Sequence, residues 1–411
     1  MLAACLPLLL SSALPAHWQT RGEKMGVFGY DVGPDFVRFD PSYRDRINHY
    51  KDRVEELTKA LFARESKGKS SRRAHQLLVE THWLTHYTAR YDQIEKKLAQ
   101  VDDLIHGRGD TAVVEQDAEG SFGPYHEAWF YKLDATCDYL VNEVVPKKPL
   151  RFLDRINTPA RLLAYLNSNL ISDVAATGED RRFELNLAGT DLLRLIEGSL
   201  KSGYKFHPAL KKTIHDWVVN TWQDPQTGFF GAWYKTPTGL RKTADLSCTF
   251  HVAHYLDGKI GRWPQIVRTV LAMKDLEFPY GWLQEGKMSN HHDLDIVKLF
   301  RYGWPFMDAR QKEQARGAIR LMMDHCLKET LKSDGSFNQE DMGSVGESYE
   351  FPVLFLAEVG FFHKEYRFWT NETFPQAAPL ARRIANRIRE TKLDDQEMQT
   401  ALYVLESADG F

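Results

Sequence analysis

Residues 289–295, Ser-Asn-His-His-Asp-Leu-Asp, form the sharpest cluster of reactive side chains in the chain. An imidazole titrates near neutrality, so His291 and His292 are candidates for a general base. Asn290 beside them can hydrogen-bond a substrate carboxylate or carbonyl. Glycosidic hydrolysis would instead need two carboxylates across a sugar bond, one protonated and one ionised. Asp134, Glu184, Asp245, Asp293 and Glu347 supply the candidates. Aromatic residues make up 12% of the chain and include ten Trp. Such a composition suits packing and also a sugar-ring platform, for which Trp233 and Trp282 are the candidates.

The elements that must position these groups repeat. Residues 226–256 open on a Gly-aromatic-Gly turn (Gly228, Phe229, Phe230, Gly231). They then cross a loop broken by Pro237 and Gly239 and enter a helical pattern at Asp245, carried by Leu246, Phe250, Val252, Ala253 and Leu256. The same layout starts near Glu119, Tyr280 and Asp334. The glycines that open the four stretches, Gly120, Gly228, Gly281 and Gly335, are separated by 108, 53 and 54 residues. A weaker fifth copy belongs near residue 174, where residues 177–196 sit. A period near 54 residues with one loop and two helical runs implies a helical-hairpin repeat.

Around these copies, residues 41–65 and 74–105 read as helices separated by a basic linker at 66–73. Asn157, Thr158 and Pro159 supply a cap and a first-turn proline for another helix. A last helical run, 380–388, is rich in arginine. Alternating β patterning is scarce, so the expected class is all-α, with residues 41–411 a single domain after an extended lead-in at 17–40.

The glycine-aromatic turn followed by a helix resembles the α/α-toroid superfamily of terpenoid cyclases, protein prenyltransferase β-subunits, and several polysaccharide lyases and glycosidases. Two stretches carry the resemblance: Gly228 to Gly231 with the helix after Asp245, and Asp334 to Phe337 with the helix near Tyr349. It covers roughly residues 115–365 and implies a complete or incomplete (α/α)5-6 barrel. It also implies that the first residues of the helix after each turn face a central funnel. Those positions hold Lys132, Asp134 and Thr136; Arg181, Arg182, Glu184 and Asn186; Asp245, Thr249, His251 and His254; Asn290 to Asp293 and Asp295; and Glu347, Tyr349 and Glu350. Acids at helix starts also cap the helix and complement its dipole, but arginines and histidines at equivalent places do not.

Some toroid lyases use an Asn, a His and a Tyr or Arg to neutralise a uronate, remove its C5 proton and expel the leaving oxygen. By residue type, Asn290, His291 or His292, Tyr349 and Arg182 resemble that set, with Asp245 and Glu347 as further catalytic candidates. Asp134, Glu184, Asn186, His251, Asp293, Trp233 and Trp282 are then the substrate-binding candidates. β-Elimination of a uronate-containing glycan is slightly favoured, with hydrolysis by a carboxylate pair as its rival. Two other readings stay open: a terpenoid cyclase or prenyltransferase relative, and a non-catalytic toroid that binds a glycan or a protein. The cyclase acid run falls short at Asp293-Leu294-Asp295-Ile296, and Asp245, Cys248 and His251 have zinc-ligand types at the wrong spacing.

The formal net charge of −3 gives no reason to expect nucleic acid as a partner. Residues 1–16 read as an export segment that places the protein in the periplasm or outside the cell, with Cys5 a membrane tether only if lipidated. Cys137, Cys248 and Cys326 are an odd, widely spaced set and read as packing residues. No GxSxG, HExxH, P-loop or dinucleotide pattern occurs, so no metal and no cofactor are expected.

Overall fold

The computed structural model describes residues 41–65, 73–74, 77–78, 81, 84, 91–108, 116–122, 129–141, 143–177, 180–236, 239–339, 342, 344–393 and 395–411. The expected export segment, lead-in and all of the basic linker but Arg73 lie outside these residues, as does much of the second expected helix. Within the described residues the chain is mostly helical, as its periodicity implies. Backbone contacts divide them into two units, one of Ala112–Met273 and one of Asp40–Thr111 with Lys274–Phe411.

Helices α1 (Pro41–Glu65) and α2 (Tyr91–Ile105) pack as a pair in the second unit. The chain then enters the first unit with α3 (Trp129–Val141), α4 (Pro159–Leu170) and α5 (Arg182–Leu187). A wide π-type turn at Ala188–Leu192 carries α5 into α6 (Leu193–Glu197), and α7 (Leu210–Trp217) follows. The unit ends with α8 (Leu246–Tyr255) and α9 (Trp263–Ala272). Thr158 caps α4 through the Arg161 amide and Pro159 takes its first turn, as the sequence requires. Helix α5 packs between α3 and α8, while α4 packs on α7 behind it. The space between is filled by Leu162, Leu166, Leu185, Leu192, Ile214 and Trp222, all buried.

The stretch read as a loop broken by Pro237 and Gly239 is instead a β-hairpin, β2 (Trp233–Thr236) and β3 (Gly239–Lys242). A two-residue strand, β1 (Ile171–Ser172), lies parallel to β2. Trp233 and Tyr234 are strand formers, and Gly239, with φ of 129°, opens the second strand opposite Thr236, while Pro237 lies outside the described residues.

The second unit continues with α10 (Asn290–Gly303), α11 (Ala309–Asp324), α12 (Glu347–Glu358), α13 (Ala377–Thr391) and α14 (Gln396–Glu406). Helices α10, α12 and α14 are successive neighbours, α11 packs on α10, and α13 packs on α14. The Arg-rich last run lies within α13, and the buried Trp369 sits in the non-helical stretch ahead of it.

Three of the four glycine corners are built alike. Asp117, Asp224 and Asp334 each open the turn by accepting backbone N–H groups just ahead of the glycine or just after it. Gly120, Gly228 and Gly335 then take φ of 85°, 73° and 88°. A Cβ on Gly120 would lie 2.0 Å from the Pro149 carbonyl oxygen, and one on Gly228 2.8 Å from the Ile266 nitrogen. Glycine is therefore required twice over, by conformation and by close approach. The aromatic that follows is pinned to the next helix: Phe122 N–H donates to Thr136 Oγ1 and Phe230 N–H to Thr249 Oγ1. Gly281 departs from the pattern. It has no left-handed φ, but a Cβ there would lie 2.1 Å from the Leu276 carbonyl oxygen; the cis Phe278–Pro279 bond stands just ahead of it.

Candidate functional site

In the first unit the polar side chains converge where α5 and α8 begin. Asp245 holds an extended backbone and caps α8 by accepting the Cys248 amide at 3.0 Å. The same carboxylate receives a two-pronged contact from Arg182, through Nε and through Nη2 at 3.0 Å. Both residues are fully buried, so the pair ties the start of α5 to the start of α8. A planar guanidinium facing a planar carboxylate satisfies both charges at once. Asp180 completes the corner: its carboxylate accepts from Tyr234 Oη at 3.0 Å and from the Arg182 amide at 2.9 Å. Ser172 Oγ accepts the Arg181 amide at 2.8 Å, so β1 is stitched to the same helix start.

One turn further along, Asn186 on α5 reaches across to α8. Its Oδ1 lies 2.9 Å from His251 Nδ1, and its Nδ2 donates to Ser247 Oγ at 3.4 Å. An amide oxygen only accepts, so Nδ1 carries the proton and the lone pair of the neutral ring sits on Nε2. Asn186 and Ser247 are buried and His251 is half-buried. On the same helix, Arg181 donates to both oxygens of Glu184, at 2.9 and 3.1 Å. Tyr165 on α4 lies in the field of Glu184, Arg155 and Arg181, and burial pushes its hydroxyl far above the usual phenol range. Its ring meets Trp129 edge-on at 4.8 Å. Deeper in, burial raises the Asp191 carboxyl to about 7, with Arg194 opposing that rise.

In the second unit, Ser289 precedes α10 and Asn290, His291, His292 and Asp293 fill its first turn. Asn290 Nδ2 donates to Thr330 Oγ1 at 3.0 Å. His292 stacks on Phe278 at 3.7 Å and His291 on Phe351 at 4.0 Å. Burial lowers both imidazoles, His291 to about 4 and His292 well below its ordinary value, so both rings are neutral. Asn290 Oδ1, His292 Nδ1, Ser289 Oγ and Trp282 Nε1 are buried without a hydrogen-bond partner. Asp293 faces His325 at 3.6 Å, and burial raises its carboxyl.

Three consecutive residues of α12 point three ways. Tyr349 is buried against Phe337, with Arg387 and Asp334 as its charged neighbours. Glu350 is pushed to about 8 by burial, with Glu397, Glu347 and Asp395 adding to the effect. Phe351 stacks on His291.

Of the lyase-like set, Asn290, His291, His292 and Tyr349 lie in the second unit and Arg182 in the first. Arg182 belongs to the first unit, where Asp245 engages it, and Tyr349 leaves α12 on a different side from the residue that touches His291. What the structure does bring together is Asn186 with His251, and Arg181 with Glu184. Trp233 and Trp282 are 2% and 5% exposed and present no open face, and Lys242 lies over the Trp233 ring. Asp134 lies half-buried on α3. Of the residue types suggestive of zinc, Cys248 keeps its proton because burial drives the thiol well up, while Asp245 is committed to Arg182. Cys137, Cys248 and Cys326 are buried and unbridged.

Sequence reading missed Asp180, Tyr165 and Ser247. The last had a signal, lying four residues before His251 and so on the same face of α8. Asp180 and Tyr165 had none, because the loop and helix that bring them in carry no motif. Among the described residues no helix is long and apolar enough to cross a membrane. No family model, curated protein or solved structure matches the chain.

Proposed function

We propose that the protein is an exported α/α-toroid enzyme that cleaves a uronate-containing poly- or oligosaccharide by β-elimination. The architecture is supported by the three like-built glycine corners and by helices that alternate between a front and a back row in the first unit. The chemistry rests on one observation, the 2.9 Å contact between Asn186 Oδ1 and His251 Nδ1. That contact turns the basic nitrogen of a half-buried imidazole outward from the pair.

In this reading His251 Nε2 removes the proton at C5, next to the sugar carboxylate. The electron pair left behind forms the C4=C5 double bond, and the C4–O bond to the leaving sugar breaks. Arg181, held by Glu184, faces the substrate carboxylate and lowers the cost of the carbanion-like charge. Tyr165, protonated at any ordinary pH, returns a proton to the leaving oxygen. The purified protein on uronate glycans is then expected to yield an ultraviolet-absorbing unsaturated end. His251→Ala is expected to slow that reaction by about 10²–10⁴. Turnover undiminished in His251→Ala ends the reading.

Hydrolysis is favoured by a separate observation, a Glu350 carboxyl still protonated near neutrality beside Glu347, Glu397 and Asp395. New reducing ends without ultraviolet absorbance, lost in Glu350→Gln and kept in His251→Ala, would select it.

A further inference from the structure

Near the end of the second unit, two segments far apart in sequence close on one histidine. Asp409 N–H donates to the Phe362 carbonyl at 3.1 Å, and the Lys364 amide donates to Asp409 Oδ2 at 2.9 Å. Between these bonds His363 is 8% exposed. Its Nδ1 lies 3.6 Å from Asp409 Oδ1 and 3.9 Å from Glu365 Oε1. The three donor atoms all fall within 4.8 Å of one another.

The other ring nitrogen decides what Nδ1 can be. Ser407 Oγ donates its only proton to the Val404 carbonyl at 2.8 Å and lies 3.3 Å from His363 Nε2. The hydroxyl is thus an acceptor toward the ring, so Nε2 carries the hydrogen. Nδ1, the ring nitrogen left to coordinate, then faces one oxygen of each carboxylate, a donor set that a divalent cation can take. A ligating histidine whose second nitrogen is hydrogen-bonded behind it is the usual construction at metal sites.

We propose that His363 Nδ1, Glu365 and Asp409 bind a divalent transition-metal ion, with zinc the best match to one imidazole and two carboxylates. Donors bonded to zinc at about 2.0–2.2 Å in a tetrahedron sit roughly 3.3–3.6 Å apart, so the 3.6 and 3.9 Å spacings from the imidazole need only a small contraction. Glu365 and Asp409 are largely exposed, which leaves solvent to complete the coordination. Tyr366, edge-on to the imidazole at 5.5 Å, covers its flank. The ion would clip the connection between α12 and α13 to the end of α14, a staple within the second unit. No spacing motif announces it, because the third donor arrives 44 residues after the second.

The test is zinc titration of the chelator-treated full chain by calorimetry near pH 7.5, with melting temperature followed in parallel. Saturable binding of one ion per chain is expected, with a higher melting temperature. Affinity should fall at least tenfold in Glu365→Gln and in Asp409→Asn. His363→Gln should behave the same way, and if circular dichroism shows it misfolded, the two exposed-carboxylate variants decide. Three results overturn the proposal: no saturable binding up to millimolar zinc, binding unchanged in the variants because other histidines capture the ion, and calcium bound as tightly as zinc.

Discussion

Arg182 and Asp245 show how one contact can serve both stability and placement. A carboxylate that caps α8 and also neutralises a buried guanidinium has no water to fall back on. Removing one partner leaves the other charge stranded, at a cost of about 3–5 kcal/mol. Asp245→Ala and Arg182→Leu are each expected to lower the unfolding free energy in urea by that order. Because the pair also sets the register of α5 against α8, Arg182→Leu should weaken the Asn186 contact and reduce any His251-dependent turnover in the folded fraction. Equal stability of wild type and Arg182→Leu would remove the pair from its positioning role. In the sequence, Asp245 was readable as a cap because its cue is local. Its arginine was not, since the partner lies 63 residues earlier and only the tertiary fold pairs them. Likewise Asn186 and His251 were both visible as polar residues at helix starts, while their hydrogen bond across two helices was not.

At the scale of elements, the glycine corners are the part the sequence states most openly. Gly228 has φ of 73° and a would-be Cβ 2.9 Å from the Arg262 carbonyl oxygen, whereas Gly198, at 87°, has open space around it. Left-handed backbone alone costs a side chain about 1–2 kcal/mol. Gly198→Ala should therefore lose about that much in a urea titration. Gly228→Ala should lose clearly more, because backbone of α9 and the turn before it must move. The hairpin of β2 and β3 went unread for a related reason. Proline and glycine punctuate loops and hairpin turns alike, and four-residue strands offer too little alternation to separate the two. Gly281 fits the spacing of the repeat yet builds a different turn, so even spacing marks where a corner falls, not how it is made.

For the molecule as a whole, burial of acids sets the response to pH. Glu350 and Asp395 titrate at about 8 and about 7 in the fold, from ordinary values near 4, with burial the first cause in each. The fold thus keeps protons that the unfolded chain releases. That contribution is complete below about pH 4 and is lost as pH rises through 7 to 8. His291 works the other way: its imidazole is pushed down to about 4, so its contribution is complete above about pH 6.5 and lost on acidification. Above pH 6.5 the His291 contribution is complete while these buried acids still lose theirs, and the urea midpoint is expected to fall between pH 6.5 and 8.5. Glu350→Gln should flatten that fall, by an amount on the order of a few kcal/mol. A wild-type midpoint that climbs over this interval would contradict the burial of these acids.

Among the described residues the first unit interrupts the second: the chain leaves the second after Thr111 and rejoins it at Lys274. During synthesis α1 and α2 therefore emerge long before α10 to α14 exist. The inserted unit has all its segments in hand while the other still waits for its later half. Synthesis thus supplies every described segment of the interruption before the later half of the body it interrupts.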